Sequence, residues 1–446
     1  MAVKVYPVSL GCPKNRVDTE RTLGRPDLKI KPVSRPRGAD LVFINTCGFI
    51  DPAVRESVQV ILQAAEDIAA LPEGKRPLLA VAGCLVGRYG QADLAGEMPE
   101  VDLWLPTAEM ETWPERLLEA LKTAGRWQEP KRAPKPPQYP GEGRLLSTGS
   151  YAWLKVSEGC GQSCSFCTIP QIRGRLRSQG ADFLEREARG LLERGVSELI
   201  LVAQDLTAWG RDLGEPSGLQ KLVERLLPLP GLARLRLMYL YPAGLSEDLL
   251  AFLQQAGPPL LPYFDVPLQH ADAGILQAMG RPFAGDPFKV VERIRKYFPQ
   301  AALRTSLITG FPGESERAFA RLCDFVRQAR FQNLGVFAYQ AEEGTVAAAL
   351  PDQVPVELRE ERRGVIMEMQ AEISRELLEP YLGQDLEVLI DAPHPEWPGL
   401  YVGRTWFQAP EVDGVTYVSG EGLEPGQLVK AAVNETFDYD LNALVY

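Results

Sequence analysis

The stretch SEGCGQSCSFCTIP, residues 157–170, determines the chemistry and the fold of the middle of this chain. It contains the spacing CxxxCxxC, formed by Cys160, Cys164 and Cys167, which we call the loop triplet. Three thiolates on one loop can hold three corners of a 4Fe–4S cluster, whereas a cluster that only transfers electrons usually takes four cysteines. The fourth iron is then open to a ligand from outside the protein. Such an iron can chelate the amino and carboxylate groups of S-adenosylmethionine, whose cleavage gives a carbon radical.

A zinc loop, or a set of buried thiols, is the simpler alternative for these cysteines. Structural zinc takes four ligands, and no further Cys or His lies near this loop in the sequence. The chain has seven cysteines and only two histidines, His270 and His394, so cysteines must carry any metal chemistry. The sequence therefore favours the iron–sulfur cluster, and zinc binding stays as the alternative.

Residues 145–378, which surround the loop, alternate strand-like and helical runs. This regular alternation predicts a parallel sheet. Six such units suit an incomplete (β/α) barrel, with the cysteine loop at the carboxyl end of its first strand, where barrel active sites lie. A doubly wound sheet is the alternative. A long helix is predicted over 356–379, with a core face formed by Leu358, Val365, Met369, Ile373 and Leu377.

Three further cysteines lie in residues 1–124, where Cys12, Cys47 and Cys84 form what we call the strand-end triplet. Each ends a short apolar run: VKVYPVSLGC, DLVFINTC and LLAVAGC. Such runs, followed by helical stretches, predict a parallel α/β domain. Neighbouring parallel strands would bring the three thiols to one edge of the sheet, where open α/β sheets bind ligands. One hypothesis is that these cysteines hold a second 4Fe–4S cluster. The other is that they are three small buried residues that serve only in packing.

The other segments complete an α/β protein of three domains. Residues 125–144 are Pro-rich and polar, which predicts a linker. Residues 381–446 contain short β-branched and aromatic runs separated by Gly, Pro and Asp, which is typical of a small antiparallel β-barrel. The first residues do not resemble a signal peptide, and no apolar run is long enough to span a membrane. We therefore expect a cytoplasmic protein.

Several segments resemble those of one enzyme family. GCPKNRVDTE around Cys12, NTCGFID around Cys47 and AGCLVGRYG around Cys84 resemble the signature segments of the methylthiotransferase family. The loop triplet followed by IPQIRGRLRS resembles the family's radical S-adenosylmethionine domain, and residues 381–446 resemble its TRAM domain. Pro26 departs from the pattern and predicts a shortened first crossover. The residues around Cys12 and Cys47 are more similar to the branch that modifies a ribosomal protein than to the branch that modifies tRNA.

The resemblance implies an enzyme with two 4Fe–4S clusters and S-adenosylmethionine as cofactors. The loop triplet would generate a 5′-deoxyadenosyl radical that takes hydrogen from a substrate carbon. The strand-end triplet would hold the sulfur, which a second S-adenosylmethionine would methylate. The implied product carries a methylthio group on the β-carbon of one aspartate in the ribosomal small-subunit protein numbered twelve. An electron donor and a sulfur donor are further implied partners.

The resemblance also implies contacts to S-adenosylmethionine from residues that follow the barrel strands. For His270, a polar residue satisfied within the protein is an equal alternative. The arginines of the run Arg173, Arg175 and Arg177 could likewise hold a carboxylate of cofactor or substrate. The implied contacts are Phe166, Gln204, Asp205, Gln269, His270, Thr309 and Gly310.

The charge of the chain bears on its partner. Residues 381–446 contain eleven acidic residues but only two basic ones, Arg404 and Lys430, so this region carries −9 of the net charge of −11. An acidic surface repels RNA and attracts a basic protein. The sequence therefore predicts a basic ribosomal protein as substrate and no RNA binding by the barrel, unless the acidic face is merely solvated. The same chemistry on tRNA is one alternative. A non-radical iron–sulfur scaffold or electron carrier is the other.

Overall fold

The structure is a computed structural model. It describes residues 2–25, 28–127, 143–281 and 286–446. Pro26, with the shortened crossover predicted there, and most of the predicted linker lie outside the described residues. In the described part of the chain, no helix has both the length and the apolar character needed to cross a bilayer.

The N-terminal domain is the predicted parallel α/β domain. Its five strands pair in the order β2-β1-β3-β4-β5, and every pair is parallel. Alternate side chains of β3 enter two different cores, Val42 and Ile44 on one face of the sheet and Leu41 and Phe43 on the other. Both faces are buried, as is usual for parallel sheets. The elements are β1 Val3–Ser9, α1 Pro13–Leu23, β2 Ile30–Pro32, β3 Leu41–Thr46, α2 Asp51–Ala69, β4 Leu78–Gly83, α3 Cys84–Tyr89, α4 Gln91–Glu97, β5 Leu103–Pro106 and α5 Trp113–Thr123.

The middle domain confirms the incomplete six-unit barrel rather than the doubly wound sheet. Two parallel three-stranded sheets, β10-β9-β6 and β11-β12-β13, join where the amide of Leu261 donates to the carbonyl of Leu235 over 2.9 Å. A short hairpin, β7 with β8, flanks the cysteine loop. The elements are β6 Tyr151–Lys155, β7 Ser157–Glu158, α6 Ile169–Arg173, β8 Arg177–Ser178, α7 Ala181–Leu192, β9 Glu198–Val202, α8 Gly218–Leu226, β10 Arg234–Leu237, α9 Glu247–Ala256, β11 Tyr263–Asp265, α10 Ala273–Ala278, α11 Pro287–Tyr297, β12 Ala302–Thr309, α12 Glu316–Ala329 and β13 Asn333–Ala338.

Helix α13, Val356–Leu378, confirms the long predicted helix and part of its predicted core face. Ile373 is buried, and Met369 and Leu377 pack against the same core, whereas Val365 is 40% exposed. The buried face also includes polar residues that have partners: Arg362 donates to the Glu314 carboxylate over 2.8 Å, and Gln370 donates to a backbone carbonyl over 2.8 Å. Hydrogen bonds of this kind allow polar side chains to be buried.

The C-terminal barrel is closed by five strands in the order β14-β15-β16-β18-β17. Its pairs are antiparallel as predicted, except that β16 and β18 run parallel. Phe407 of the loop before β16 packs in one hydrophobic cluster with Trp153 of the middle domain and Val17 of α1. The three domains therefore share this core. The strands are β14 Asp385–Pro393, β15 Leu400–Arg404, β16 Thr416–Ser419, β17 Leu428–Thr436 and β18 Leu441–Leu444.

Candidate active site

The strand-end triplet lies at one edge of the N-terminal sheet. Cys12 is the N-cap of α1 just after β1, Cys47 follows β3 directly, and Cys84 begins α3 directly after β4. Strands β1, β3 and β4 are neighbours and run in the same direction. The structure therefore brings the three cysteines to the carboxyl edge of adjacent strands.

Glycines let the loops of this triplet touch. A Cβ on Gly11 would lie 2.6 Å from the Cβ of Cys47, and a Cβ on Gly48 would lie 2.8 Å from the carbonyl carbon of Cys84. Gly11 also has a φ of +84°, which residues with a side chain rarely adopt. A larger residue at either position would push the cysteine loops apart.

The thiols of the strand-end triplet share a buried environment and influence one another. Burial, helped by the neighbouring thiols of Cys84 and Cys12, raises the pKa of Cys47 to about 12. The three thiols are therefore within electrostatic reach of one another. A bound metal removes such protons outright, because coordination favours the thiolate.

The loop triplet occupies the segment between β7 and α6. The amide of Cys160 donates to the carbonyl of Gly174 over 3.1 Å, and the amide of Ser165 donates to that of Met279 over 3.0 Å. Burial raises the pKa of Cys167 to about 12, with the thiols of Cys164 and Cys160 adding to the rise. These three thiols form a second mutually interacting set.

Gln204 and Asp205 lie beside this loop, after β9. The Gln204 amide nitrogen donates to the Glu158 carboxylate over 3.3 Å, whereas its Oε1 is buried with no hydrogen-bond partner among the described residues. Asp205 accepts from the side chain of Gln162 over 2.9 Å. A buried acceptor without a donor is costly. The Gln204 oxygen is therefore an open position for a donor of a bound ligand.

Phe166 of the loop packs near the end of β12, where Thr309 and Gly310 lie. Phe166 packs against a hydrophobic cluster that includes Ile308, at the end of β12. Thr309 donates to the carbonyl of Arg359 over 3.0 Å. Gly310 has a φ of +68°, and a Cβ there would lie 2.1 Å from the Arg359 side chain. The end of β12 is thus closely packed under the cysteine loop.

Gln269 and His270 end the fourth barrel unit. Gln269 has a φ of +72°, a conformation that non-glycine residues adopt mainly at constrained sites. The Nδ1 of His270 accepts from the amide of Asp272 over 2.9 Å, so Nε2 carries the hydrogen and donates to Glu314 over 2.9 Å. Both ring nitrogens of His270 are used within the protein. This geometry favours the structural alternative over contact with a cofactor.

A buried charge cluster, missed in the sequence, contacts the strand-end triplet and includes Glu158, two residues before Cys160. Arg173 of α6 donates from Nε to the Sγ of Cys84 over 3.2 Å and from Nη1 to Glu158 over 2.8 Å, and it also pairs with Asp18. Lys155 pairs with both carboxylates. The Arg173 guanidinium therefore has its hydrogen-bond partners within the protein, whereas Arg175 and Arg177 are exposed. The arginine run was the only sequence feature that pointed toward this cluster.

Comparison with known proteins decides the family. The chain is 62% identical over 444 residues to the ribosomal protein uS12 methylthiotransferase RimO of Nitratidesulfovibrio vulgaris strain DP4, covering 99% of this chain and 100% of the relative. It is 43% identical over 445 residues to RimO of Aquifex aeolicus strain VF5, covering 98% of this chain and 96% of the relative. The chain belongs to the RimO family. The predicted methylthiotransferase resemblance is confirmed.

Family models match three parts of this RimO family member. The Radical SAM superfamily matches residues 154–326, the TRAM domain matches 382–445, and Uncharacterized protein family UPF0004 matches 4–106. Among solved structures, the radical S-adenosylmethionine methyltransferase TsrM from Kitasatospora setae, with cobalamin and [4Fe-4S] cluster bound, has a TM-score of 0.54 at 13% identity, covering 90% of this chain and 81% of that chain. This likeness concerns the fold alone.

Membership of the RimO family and of the radical SAM superfamily implies two 4Fe–4S clusters and S-adenosylmethionine as cofactors. The residues fit these groups, because the chain has two separate sets of three interacting thiols and an open buried oxygen at Gln204. Over the described residues, no three Cys, His, Asp or Glu side chains form a group that could hold one metal ion. This agrees with a cluster, because a 4Fe–4S cubane binds three thiolates on three different irons, and their sulfur atoms then lie farther apart than the ligands of a single metal ion.

Proposed function

We propose that this chain adds a methylthio group to the β-carbon of an aspartate in ribosomal protein uS12. The observation that carries the proposal is the 62% identity to a uS12 methylthiotransferase over the whole of both chains. The two cysteine triplets would supply the two cofactor positions that the reaction needs, and Arg173 contacts the strand-end triplet and Glu158, close to the start of the loop triplet. The tRNA alternative and the non-radical alternative have no comparable support.

The proposed division of labour follows the two triplets. When bound, the cofactors supply reductive cleavage of S-adenosylmethionine to a radical and a methylated sulfur for transfer. The loop triplet holds one cluster, and the strand-end triplet holds the other. Gln204 and Asp205 orient the amino-acid end of S-adenosylmethionine, and Phe166, Thr309 and Gly310 border its adenine. We propose 1–124, 145–378 and 381–446 as the domain limits, with 125–144 as linker.

The charge of the C-terminal barrel supports a basic protein partner, although less of it faces outward than the sequence suggested. Asp391 pairs with Arg404 over 2.6 Å, and Asp413 pairs with Arg304 over 3.2 Å. Glu411 pairs with Arg16. The acidic residues that remain exposed on the barrel include a group that we call the acidic set: Glu387, Glu396, Glu421 and Glu424.

The acidic set would attract a basic protein by steering its approach. It would repel the phosphates of tRNA. An electron donor and a sulfur donor complete the proposed partners. A ribosomal-protein substrate agrees with the cytoplasmic location that the sequence predicts.

The decisive experiment offers the anaerobically reconstituted enzyme both uS12 and bulk tRNA, with S-adenosylmethionine, sulfide and a reductant. Mass spectrometry should find one hydrogen replaced by SCH₃ on an aspartate peptide of uS12. Cys160→Ala should abolish this product, whereas the matched Cys323→Ala should retain it, because Cys323 packs in the core of the middle domain, outside both triplets. The same modification on a tRNA nucleoside, with none on uS12, would overturn the proposal.

A further inference from the structure

Lys14 extends from the N-terminal domain into the end of the middle-domain barrel. It lies two residues after Cys12, in the first turn of α1. Its Nζ is 3.5 Å from the carbonyl oxygen of Ala203 and 3.6 Å from the centroid of the Tyr239 ring. Ala203 and Tyr239 follow β9 and β10, so the ammonium group lies at the carboxyl end of the barrel strands, where barrel active sites lie.

The ammonium of Lys14 is buried without a carboxylate partner. Lys14 is only 7% exposed, and it forms no ion pair with any described residue. The nearby Asp265 carboxylate is already taken by Arg304 over 3.0 Å and by the amide of Tyr239 over 3.0 Å. Lys155, which is also buried, pairs with two carboxylates. The other acidic groups that act on Lys14 are the Cys12 thiol, which belongs to the strand-end triplet, and the Tyr239 hydroxyl. Because burying a charge without a carboxylate partner of its own is costly, the position of Lys14 indicates a site for an anion.

Backbone strain marks the same position. Tyr239, whose ring lies under the Lys14 ammonium, has a φ of +60°. A bulky residue rarely adopts this conformation, and such residues concentrate at ligand-binding and catalytic sites. The Asp265 carboxylate and the amide of Leu206, which donates to the Tyr239 carbonyl over 3.0 Å, hold the strained segment in place. The backbone that carries the Tyr239 ring below the Lys14 ammonium is therefore held in a defined conformation.

We infer that Lys14 binds the side-chain carboxylate of the target aspartate and helps to determine the specificity of the enzyme. The inference rests on the proposed function. The reacting carbon must be reached both from the loop triplet, where the radical forms, and from the strand-end triplet, where the sulfur is held. Lys14 has its backbone beside Cys12 and its ammonium at the barrel strands, so it lies between the two. A charge-assisted hydrogen bond to the carboxylate fixes the adjacent β-carbon.

The test uses the anaerobically reconstituted full chain and two forms of uS12, one natural and one with asparagine at the target position. Wild-type enzyme should bind the asparagine form about tenfold or more weakly, because a buried ammonium loses its ionic partner. Lys14→Met should bind both forms equally, at the weaker affinity, and Lys14→Arg should recover part of the discrimination. Lys289→Met, at an exposed lysine of α11, is the matched control and should behave as wild type.

The anion beside Lys14 could come from the carboxylate of S-adenosylmethionine instead of the target aspartate. Equilibrium dialysis with S-adenosylmethionine distinguishes these two ligands. Lys14→Met should keep its affinity for S-adenosylmethionine. A variant that loses that affinity but still discriminates between the two uS12 forms would overturn the inference. Equal binding of both forms by the wild-type enzyme would overturn it even if the variant failed to fold. If wild-type enzyme makes no methylthio product on uS12, the proposed function itself fails.

Discussion

Replacing Glu198 with glutamine tests how the C-terminal barrel is fixed to the middle domain. Glu198 is fully buried at the start of β9 and accepts hydrogen bonds from Arg236 over 2.7 Å and from Arg404 over 2.7 Å. Arg404 belongs to β15 of the barrel, so one carboxylate joins the two domains. Glutamine keeps the shape but leaves the guanidinium groups without the negative charge.

The pKa of Glu198 gives the size of the effect. Burial by itself would raise this pKa, but Arg236, Arg404 and Arg234 outweigh it and lower the pKa from 4.5 to about 2. At about 1.4 kcal/mol per pH unit, this difference corresponds to about 3 kcal/mol of unfolding free energy when Glu198 is ionised. Because the pKa is lower in the folded state, the contribution is complete above the unfolded pKa and is lost as the pH falls toward the folded one.

Anaerobic urea unfolding at neutral pH, followed by circular dichroism, should show Glu198→Gln less stable than wild type by about 3 kcal/mol. With metal-free protein, the difference should narrow as the pH falls below about 4.5. Glu224→Gln, at an exposed position of α8, is the control and should change stability by less than about 0.5 kcal/mol. A loss under about 1 kcal/mol at neutral pH, or a difference that acid leaves unchanged, would refute the reasoning.

Three further predictions concern the site and its partner. Arg173→Met removes the donor to the Cys84 sulfur and leaves Glu158 with less positive charge. This substitution should lower the free energy of unfolding by about 3–5 kcal/mol, because it leaves buried carboxylates without their partner. It should also lower the reduction potential of the cluster at the strand-end triplet, measured by EPR titration, because a positive charge beside the sulfur is lost. An unchanged potential would count against this role of Arg173. Alanine throughout the loop triplet should abolish S-adenosylmethionine cleavage. Alanine throughout the strand-end triplet should spare cleavage but abolish methylthio transfer, and any methylthio product there would contradict the assignment. Lysine at all four positions of the acidic set should slow association with uS12 in stopped-flow measurements and reduce its salt dependence, whereas identical rates would exclude steering by these residues.

Local features of the sequence determined the fold class and both cysteine triplets. Short apolar runs that each end in a cysteine predicted the parallel strands, and the CxxxCxxC spacing placed three thiols on one loop. Such patterns work because side-chain periodicity and loop length are properties of neighbouring residues. The family resemblance rested on similar local segments and is confirmed over the whole chain.

Only the tertiary structure decided which charges are buried and what they contact. No local pattern indicated that α13 buries arginines while Val365 is exposed, or that Asp413 turns inward to meet Arg304. Lys14 and Ala203 are 189 positions apart, yet they meet where two domains join. A buried charge depends on a partner brought by another element, so its energy is set by long-range packing and not by its neighbours in sequence.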